Sequence, residues 1–263
     1  MDQNKKTNKI FEGLIDKQVD GKKSKIPARL DFYQSLTGLI LAVFIKFHLL
    51  FVSSILISKD FMYSVDKFLS GNLLVEGGHP YFIVGSAFIL FVVLVVHALM
   101  AIRKFPNSYR QYRNFTSHTD MFPHSDTKLW GVQIITGFIL FFFASMHLYQ
   151  MMSEPANIGP YLSSDRIWTD SAWVMYIVLL IAVELHATIG LYRLAIKWGW
   201  FDGKTYKATR AKLKIVRNCI IIFYIVLGAL SLSAYMKIGY EHQDNYGEKY
   251  IPTYKQSNQK VAN

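Results

Sequence analysis

Five long apolar segments, separated by polar linkers, dominate the pattern of hydrophobic and polar positions along this chain. A helix needs about 20 apolar residues, at 1.5 Å rise each, to cross the hydrocarbon layer of a membrane. Inside lipid every backbone polar group must bond internally, which a helix achieves. The pattern therefore predicts an all-α integral membrane protein with five transmembrane helices, at about 36–57, 81–102, 129–152, 173–194 and 217–237. Residues 1–30 then form an N-terminal segment, 31–239 the membrane domain and 240–263 a tail.

The composition supports a membrane protein and excludes several other classes. Of the 263 residues 52% are hydrophobic and only 18% are charged, too apolar a balance for a soluble domain. The net charge is +11, but no basic and aromatic module typical of nucleic-acid binding is present. The single cysteine, Cys219, excludes a disulfide framework, a cysteine-ligated iron–sulphur cluster and a covalent C-x-x-C-H haem site.

The distribution of Lys and Arg predicts the orientation. Residues 1–30 and the linkers after the second and fourth spans carry twenty-one of them, against seven on the opposite side. Basic residues accumulate on the cytoplasmic side of membranes. We therefore expect a multi-pass protein of the bacterial cytoplasmic (inner) membrane, with a cytoplasmic N-terminus and a periplasmic C-terminus.

Each of the first four spans contains one histidine, namely His48, His97, His147 and His186. Counted from the cytoplasmic ends at about 1.5 Å per residue, His97 and His186 lie about 8 and 12 Å deep, and His48 and His147 about 20 and 27 Å. Two facing histidines at one level can ligate an iron porphyrin from both sides, and bundle cores hold such cofactors. Histidines bonded to neighbouring carbonyls are the plainer interpretation, whereas a tetrahedral zinc site would need all four at one level.

Four segments of the sequence closely resemble a known family. They read KKSKIPARLDFYQSLTGLIL (22–41), RKFPNSYRQY (103–112), HSDTKLWGVQIITGF (124–138) and AVELHATIGLYRLAIKWGWFDG (182–203). The family is that of the dihaem cytochrome b subunits of epsilonproteobacterial quinol:fumarate reductases, and the match runs from about residue 22 to 239. It includes all five spans.

The resemblance implies two b-type haems, a proximal one held by His97 and His186 and a distal one held by His48 and His147. It further implies haem-propionate contacts at six positions, which are Gln34, Ser35, His124, Trp130, Arg166 and Lys197. A buried propionate needs cationic or hydrogen-bonding partners, although Lys197 and Arg166 can equally serve as anchors at the membrane interface.

The resemblance also implies the partners and the reaction. The subunit anchors an iron–sulphur subunit and an FAD-containing flavoprotein on the cytoplasmic face, in a dimer of heterotrimers. Menaquinol is oxidised near the distal haem, and the electrons reduce fumarate on another subunit. Net succinate oxidation by quinone is the alternative direction. The sequence leaves open other dihaem b subunits, of hydrogenase, formate dehydrogenase or nitrate reductase. A non-haem cation transporter and a passive anchor without cofactor also remain open.

Three acidic positions and one lysine bear on proton movement. The resemblance places Glu184 on a transmembrane proton path, and a buried carboxyl can relay a proton. The family's quinol-site glutamate corresponds to Ser70 here. Three explanations stay open: Asp66 or Glu76 replaces it as proton acceptor, the quinol protons reach water directly, or the complex works mainly in the succinate-oxidising direction. Lys46 lies within the first span, where it can snorkel to the interface, pair with a propionate or approach Glu184.

Overall fold

The computed structural model describes residues 25–104, 108, 113, 125–203 and 205–256, with the backbone alone for 125–127, and this part of the chain is helical. Its main helices are α1 Ile26–Val52, α2 Lys59–Leu69, α3 Pro80–Ile102, α4 Ser125–Ser153, α5 Pro160–Trp168, α6 Trp173–Lys197 and α7 Tyr206–His242. A 3₁₀ turn, Ser53–Leu56, prolongs α1. Among the described residues, five helices are long and apolar enough to cross a membrane, namely α1, α3, α4, α6 and α7, and this agrees with the five predicted spans.

The local sequence explains where several helices begin. Pro80 and Pro160 are the first residues of α3 and α5, a position where the missing N–H of proline costs no hydrogen bond. Ser58 caps α2, because its hydroxyl accepts a 3.0 Å hydrogen bond from the Phe61 N–H. Helices α2 and α5 were not predicted, since they are too short and too polar to register as spans.

The predicted span boundaries fall inside the helices at several ends. Helix α1 begins at residue 26, within the predicted N-terminal segment. Helix α7 begins at Tyr206 rather than near 217, and it ends at His242, beyond the predicted domain boundary at 239. Hydropathy detects only the apolar part of a helix, whereas backbone hydrogen bonding continues through polar turns outside the hydrocarbon layer.

Four of the long helices form a closed ring. Helix α1 packs on α3, α3 on α4, α4 on α6, and α6 back on α1, while α7 lies outside the ring against α6 and α1. Across the ring axis, α1 therefore faces α4 and α3 faces α6. The helices that carry His48, His97, His147 and His186 are the four members of this ring.

Two ends of the bundle are defined by contacts between helix termini. At the near end, the carboxylate of Asp31 in α1 pairs with Lys104 after α3 and with Lys197 at the end of α6. At the far end, α5 packs along the last turns of α7, where His242 binds Asp165. Successive spans thus run in opposite directions.

Candidate functional site: two histidine pairs in the ring of helices

His97 of α3 and His186 of α6 form one histidine pair, close to the near end of the bundle. Their two helices face each other across the ring. The ring centres of His97 and His186 lie 6.4 Å apart, with an angle of 86° between the ring planes. The Nδ1 atom of His97 lies 3.2 Å from the backbone oxygen of Gln34, and that of His186 lies 2.9 Å from the oxygen of Gln133. An Nδ1–H that donates to a carbonyl leaves Nε2 as the basic nitrogen of each ring.

The second pair joins α1 and α4, the other two facing helices. The rings of His48 and His147 have centres 6.2 Å apart and planes at 59°. The Nδ1 atom of His147 lies 3.2 Å from the hydroxyl of Tyr176, and His48 stacks on Phe44 at 5.5 Å. The structure thus brings together the same histidines that their depths in the sequence paired.

The spacing within both pairs suits one metal ion between two imidazoles. With a nitrogen–metal bond of about 2 Å and about 1.1 Å from that nitrogen to the ring centre, two imidazoles on opposite sides of a metal have centres about 6.2 Å apart. The two pairs measure 6.2 and 6.4 Å. A porphyrin supplies four nitrogens itself and takes two axial ligands from the protein, which is the number that each pair offers.

The polar residues at the near end lie beside the His97 and His186 pair. Lys197 Nζ donates to Ser35 Oγ at 2.8 Å and pairs with Asp31. The side-chain oxygen of Gln34, the residue before Ser35 in α1, is buried with no hydrogen-bond partner in the described part of the chain. Trp130 lies in α4, partly buried, and His124 falls outside the described residues. A buried amide oxygen is an acceptor, so it needs a hydrogen-bond donor to be satisfied.

Arg166 is a buried polar residue at the far end of the bundle. Its side chain is almost fully buried in α5, and Nη2 donates to the backbone oxygen of Asn157 at 2.8 Å. Nη1 is also buried and has no acceptor within the described residues. A buried guanidinium needs an anionic partner, so Arg166 offers a binding group for a carboxylate.

Lys46 and Glu184 form a buried ion pair between α1 and α6. Lys46 Nζ lies 2.6 and 2.5 Å from the two carboxylate oxygens of Glu184 and 2.7 Å from the hydroxyl of Thr188. Its ammonium also lies 4.4 Å from the ring centre of Tyr224 in α7. Glu184 is fully buried. Of the three possibilities for Lys46, the structure shows the approach to Glu184.

The two candidate acids near Ser70 differ in environment. Asp66 is buried in α2, one turn before Ser70, whose hydroxyl donates to the Asp66 backbone oxygen at 2.8 Å. Burial raises the pKa of the Asp66 carboxyl to about 6, against a smaller opposing effect of Lys67. Glu76 is exposed. Of the two acids, Asp66 is therefore the buried one.

Sequence reasoning missed a buried pair at the far end. His242 Nδ1 lies 2.8 Å from an oxygen of Asp165, whose other oxygen accepts the Gly247 N–H at 3.0 Å. Tyr161 stacks on the His242 ring at 4.0 Å. No sequence signal indicated this pair, because its members are 77 residues apart and lie outside the predicted apolar spans.

Comparison with known proteins gives three close relatives. The chain is 48% identical over 243 residues to the fumarate reductase cytochrome b subunit of Wolinella succinogenes, covering 92% of this chain and 95% of the relative. It is also 48% identical over 236 residues to the proteins of that name from two strains of Helicobacter pylori, covering 90% of this chain and 91% of each relative. A model of the succinate dehydrogenase/fumarate reductase transmembrane subunits matches residues 109–227.

Proposed function

The chain belongs to the family of fumarate reductase cytochrome b subunits, and on this premise we propose that it is the membrane anchor and electron-transfer subunit of a quinol:fumarate reductase. It oxidises menaquinol on the periplasmic side and delivers electrons to an iron–sulphur subunit and an FAD-containing flavoprotein on the cytoplasmic side. The flavoprotein reduces fumarate. This assignment favours fumarate reductase over the dihaem subunits of hydrogenase, formate dehydrogenase or nitrate reductase.

The observation that carries the proposal is the presence of two histidine pairs at two levels of one helix ring. Each pair has the ring spacing that one metal ion between two imidazoles requires. His97 with His186, and His48 with His147, would each hold one haem b, which would supply one-electron transfer across the bundle. The four helices hold the pairs one above the other, and exposed apolar side chains on the outside of the ring face lipid.

The propionate contacts divide between the two ends of the bundle. Gln34, Ser35 and Lys197, with Trp130 and His124 as further members of the set, serve the proximal haem at the near end. Arg166 serves the distal haem. The unpartnered donor Nη1 of Arg166 supports this assignment, because a propionate supplies the negatively charged acceptor that a guanidinium needs.

The orientation follows from the basic residues. The near end carries the Lys- and Arg-rich linkers, so it faces the cytoplasm, and the C-terminal tail is periplasmic. A basic cytoplasmic face suits both anionic lipid and an acidic protein partner. We propose that the iron–sulphur subunit docks there, and that the complex pairs into a dimer of heterotrimers.

Asp66 is the proposed acceptor of the quinol protons at the far end. A general base works best when its pKa is near the working pH, and burial brings the pKa of Asp66 to about 6. Glu76, by contrast, is exposed on the loop before α3. Asp66 lies one helical turn from Ser70, the position where the family resemblance places a glutamate.

Glu184 is the proposed step of the transmembrane proton path. Lys46, Glu184 and Thr188 form one hydrogen-bonded unit. A proton that reaches Glu184 therefore interacts with all three side chains.

The test is a reduced-minus-oxidised visible spectrum of the purified complex with a redox titration in both directions of catalysis. We expect b-type absorbance that titrates in two steps. The His97→Ala and His147→Ala variants should each lose one step, whereas His79→Asn, an exposed histidine at the start of α3, should keep both. A wild-type complex without b-type absorbance would refute the proposal, and unchanged haem content in His97→Ala would favour a passive anchor.

A further inference from the structure

A five-residue motif, Gln-x-x-Thr-Gly, occurs twice in the chain. It reads QSLTG at 34–38 in α1 and QIITG at 133–137 in α4. These two helices face each other across the ring, and neither carries a histidine of the proximal pair. Each copy instead lies against a proximal histidine on a neighbouring helix.

The first copy contacts His97 of α3. The Nδ1 atom of His97 lies 3.1 Å from the Thr37 hydroxyl oxygen and 3.2 Å from the backbone oxygen of Gln34. The Thr37 hydroxyl itself donates to the backbone oxygen of Tyr33 at 2.8 Å. Its oxygen therefore remains free to accept, and both neighbours of Nδ1 are acceptors.

The second copy repeats these contacts on His186 of α6. Its Nδ1 atom lies 2.9 Å from the backbone oxygen of Gln133 and 3.3 Å from the Thr136 hydroxyl. The Thr136 hydroxyl donates to the backbone oxygen of Val132 at 2.7 Å. Two different helix pairs thus present the same arrangement of acceptors to the two proximal rings.

The glycine of each copy lets the ring approach the helix. A Cβ atom added at Gly38 would lie 2.8 Å from Cε1 of His97, and one at Gly137 would lie 3.0 Å from Cε1 of His186. Both distances are below the normal contact of carbon atoms. Any side chain at these two positions would turn or displace the ring.

The distal pair has no such arrangement. His147 has the hydroxyl of Tyr176 beside Nδ1, and His48 packs on Phe44 with no hydrogen-bond partner in the described part of the chain. The contacts of Nδ1 fix the tautomer and the orientation of a ligating histidine and raise its basicity. The two pairs therefore differ in these contacts although their ring spacings agree.

We propose that the two Gln-x-x-Thr-Gly motifs are positioning elements for the proximal haem alone. Gln34, Thr37 and Gly38 fix His97, while Gln133, Thr136 and Gly137 fix His186, so that the chain sets the basicity and ring angle of this ligand pair independently of the distal one. The inference rests on the proposed function, since it concerns how the histidines meet an iron porphyrin. A more basic axial ligand stabilises oxidised iron. Removal of the threonine acceptors should therefore raise the midpoint potential of one haem.

The test compares redox titrations and electron paramagnetic resonance spectra of the intact complex. In the Thr37→Val/Thr136→Val double variant we expect the equilibrium between oxidised and reduced haem to shift about tenfold towards reduced for one haem, which is about 59 mV for a one-electron couple. The His97→Ala variant identifies that haem, because it removes the same titration step. Thr37→Ser/Thr136→Ser keeps the acceptors and should restore the wild-type potential. Ser86→Ala in α3, whose exposed hydroxyl donates to the Ile83 carbonyl of its own helix, is the control.

Glycine variants test the same inference without removing a hydrogen-bonding group. Gly137→Ala should change the low-spin haem signal of one haem, whereas Gly131→Ala on the same helix, where an added Cβ meets nothing within 4 Å, should leave both signals unchanged. Unaltered potentials and signals in the double-valine and Gly137→Ala variants would overturn the inference and leave the proposed function standing. Equal shifts of both haems would also overturn it. A wild-type complex without haem would overturn both.

Discussion

The buried ion pair of Lys46 and Glu184 allows a sharp prediction about stability. Replacing Lys46 by Met leaves a fully buried carboxylate that has lost two hydrogen bonds of 2.6 and 2.5 Å. Removing one member of a buried pair costs about 3–5 kcal/mol, because the remaining charge stays desolvated without its partner. At about 2–4 °C per kcal/mol for a chain of 150–250 residues, the melting temperature should fall by about 6–20 °C.

The measurement is a double-mutant cycle on the purified complex. The melting temperature of each variant is read from the change in haem absorbance on heating. The Lys46→Met/Glu184→Gln double variant removes both charges and should be destabilised by less than Lys46→Met alone. Lys237→Met is the matched control, since Lys237 and Glu241 form an exposed pair on α7 at 3.8 Å. Such a pair contributes about 0–1 kcal/mol.

Two results would refute this reasoning. If Lys46→Met melted within the range of Lys237→Met, the buried pair would contribute no more than an exposed one. If the destabilisation of the double variant equalled the sum of both single variants, Lys46 and Glu184 would act independently. Either result would also remove the basis for treating the pair as one unit of the proton path.

The remaining predictions concern the far end. Burial raises the pKa of Asp66 to about 6, and a base acts when deprotonated. The rate of quinol oxidation should therefore rise as the pH passes through about 6 and level off above it. This rise should be lost in Asp66→Asn and kept in Glu76→Gln. Arg166→Gln should lose the distal haem in a haem determination, because no other buried guanidinium replaces its charge among the α5 residues described. His242→Ala leaves buried Asp165 without its histidine partner, and should lower the unfolding free energy by about 1–3 kcal/mol in a thermal unfolding assay.

Each of these predictions has an outcome that contradicts it. Wild-type rates in both the Asp66→Asn and Glu76→Gln variants would exclude both acids as the proton acceptor. A full haem content in Arg166→Gln would assign Arg166 to the protein fold rather than to a propionate. A His242→Ala variant as stable as His79→Asn would mean that the Asp165 carboxylate is adequately solvated without its partner.

Several features were predictable because they depend on distance along a helix. Apolar length fixed the number of spans, since the hydrocarbon layer sets how many residues a helix needs. The rise of 1.5 Å per residue gave the depths of His48, His97, His147 and His186, and hence which of them share a level. The helix ends were less predictable, as α7 shows: its first turns carry the basic residues Lys207, Arg210, Lys212 and Lys214, which hydropathy assigns to a linker.

The sequence by itself determined the membrane class, the five spans and the levels of the histidines, because these follow from composition and from a fixed rise along each helix. It did not determine which side chains meet sideways. The partner of Lys46, the burial of Asp66 and the seating of His97 and His186 on two glycines depend on how the helices rotate and pack in the ring. Helix rotation is set by packing over the whole bundle. The repeated Gln-x-x-Thr-Gly motif was visible in the sequence, but its meaning came from the two rings that lie against it.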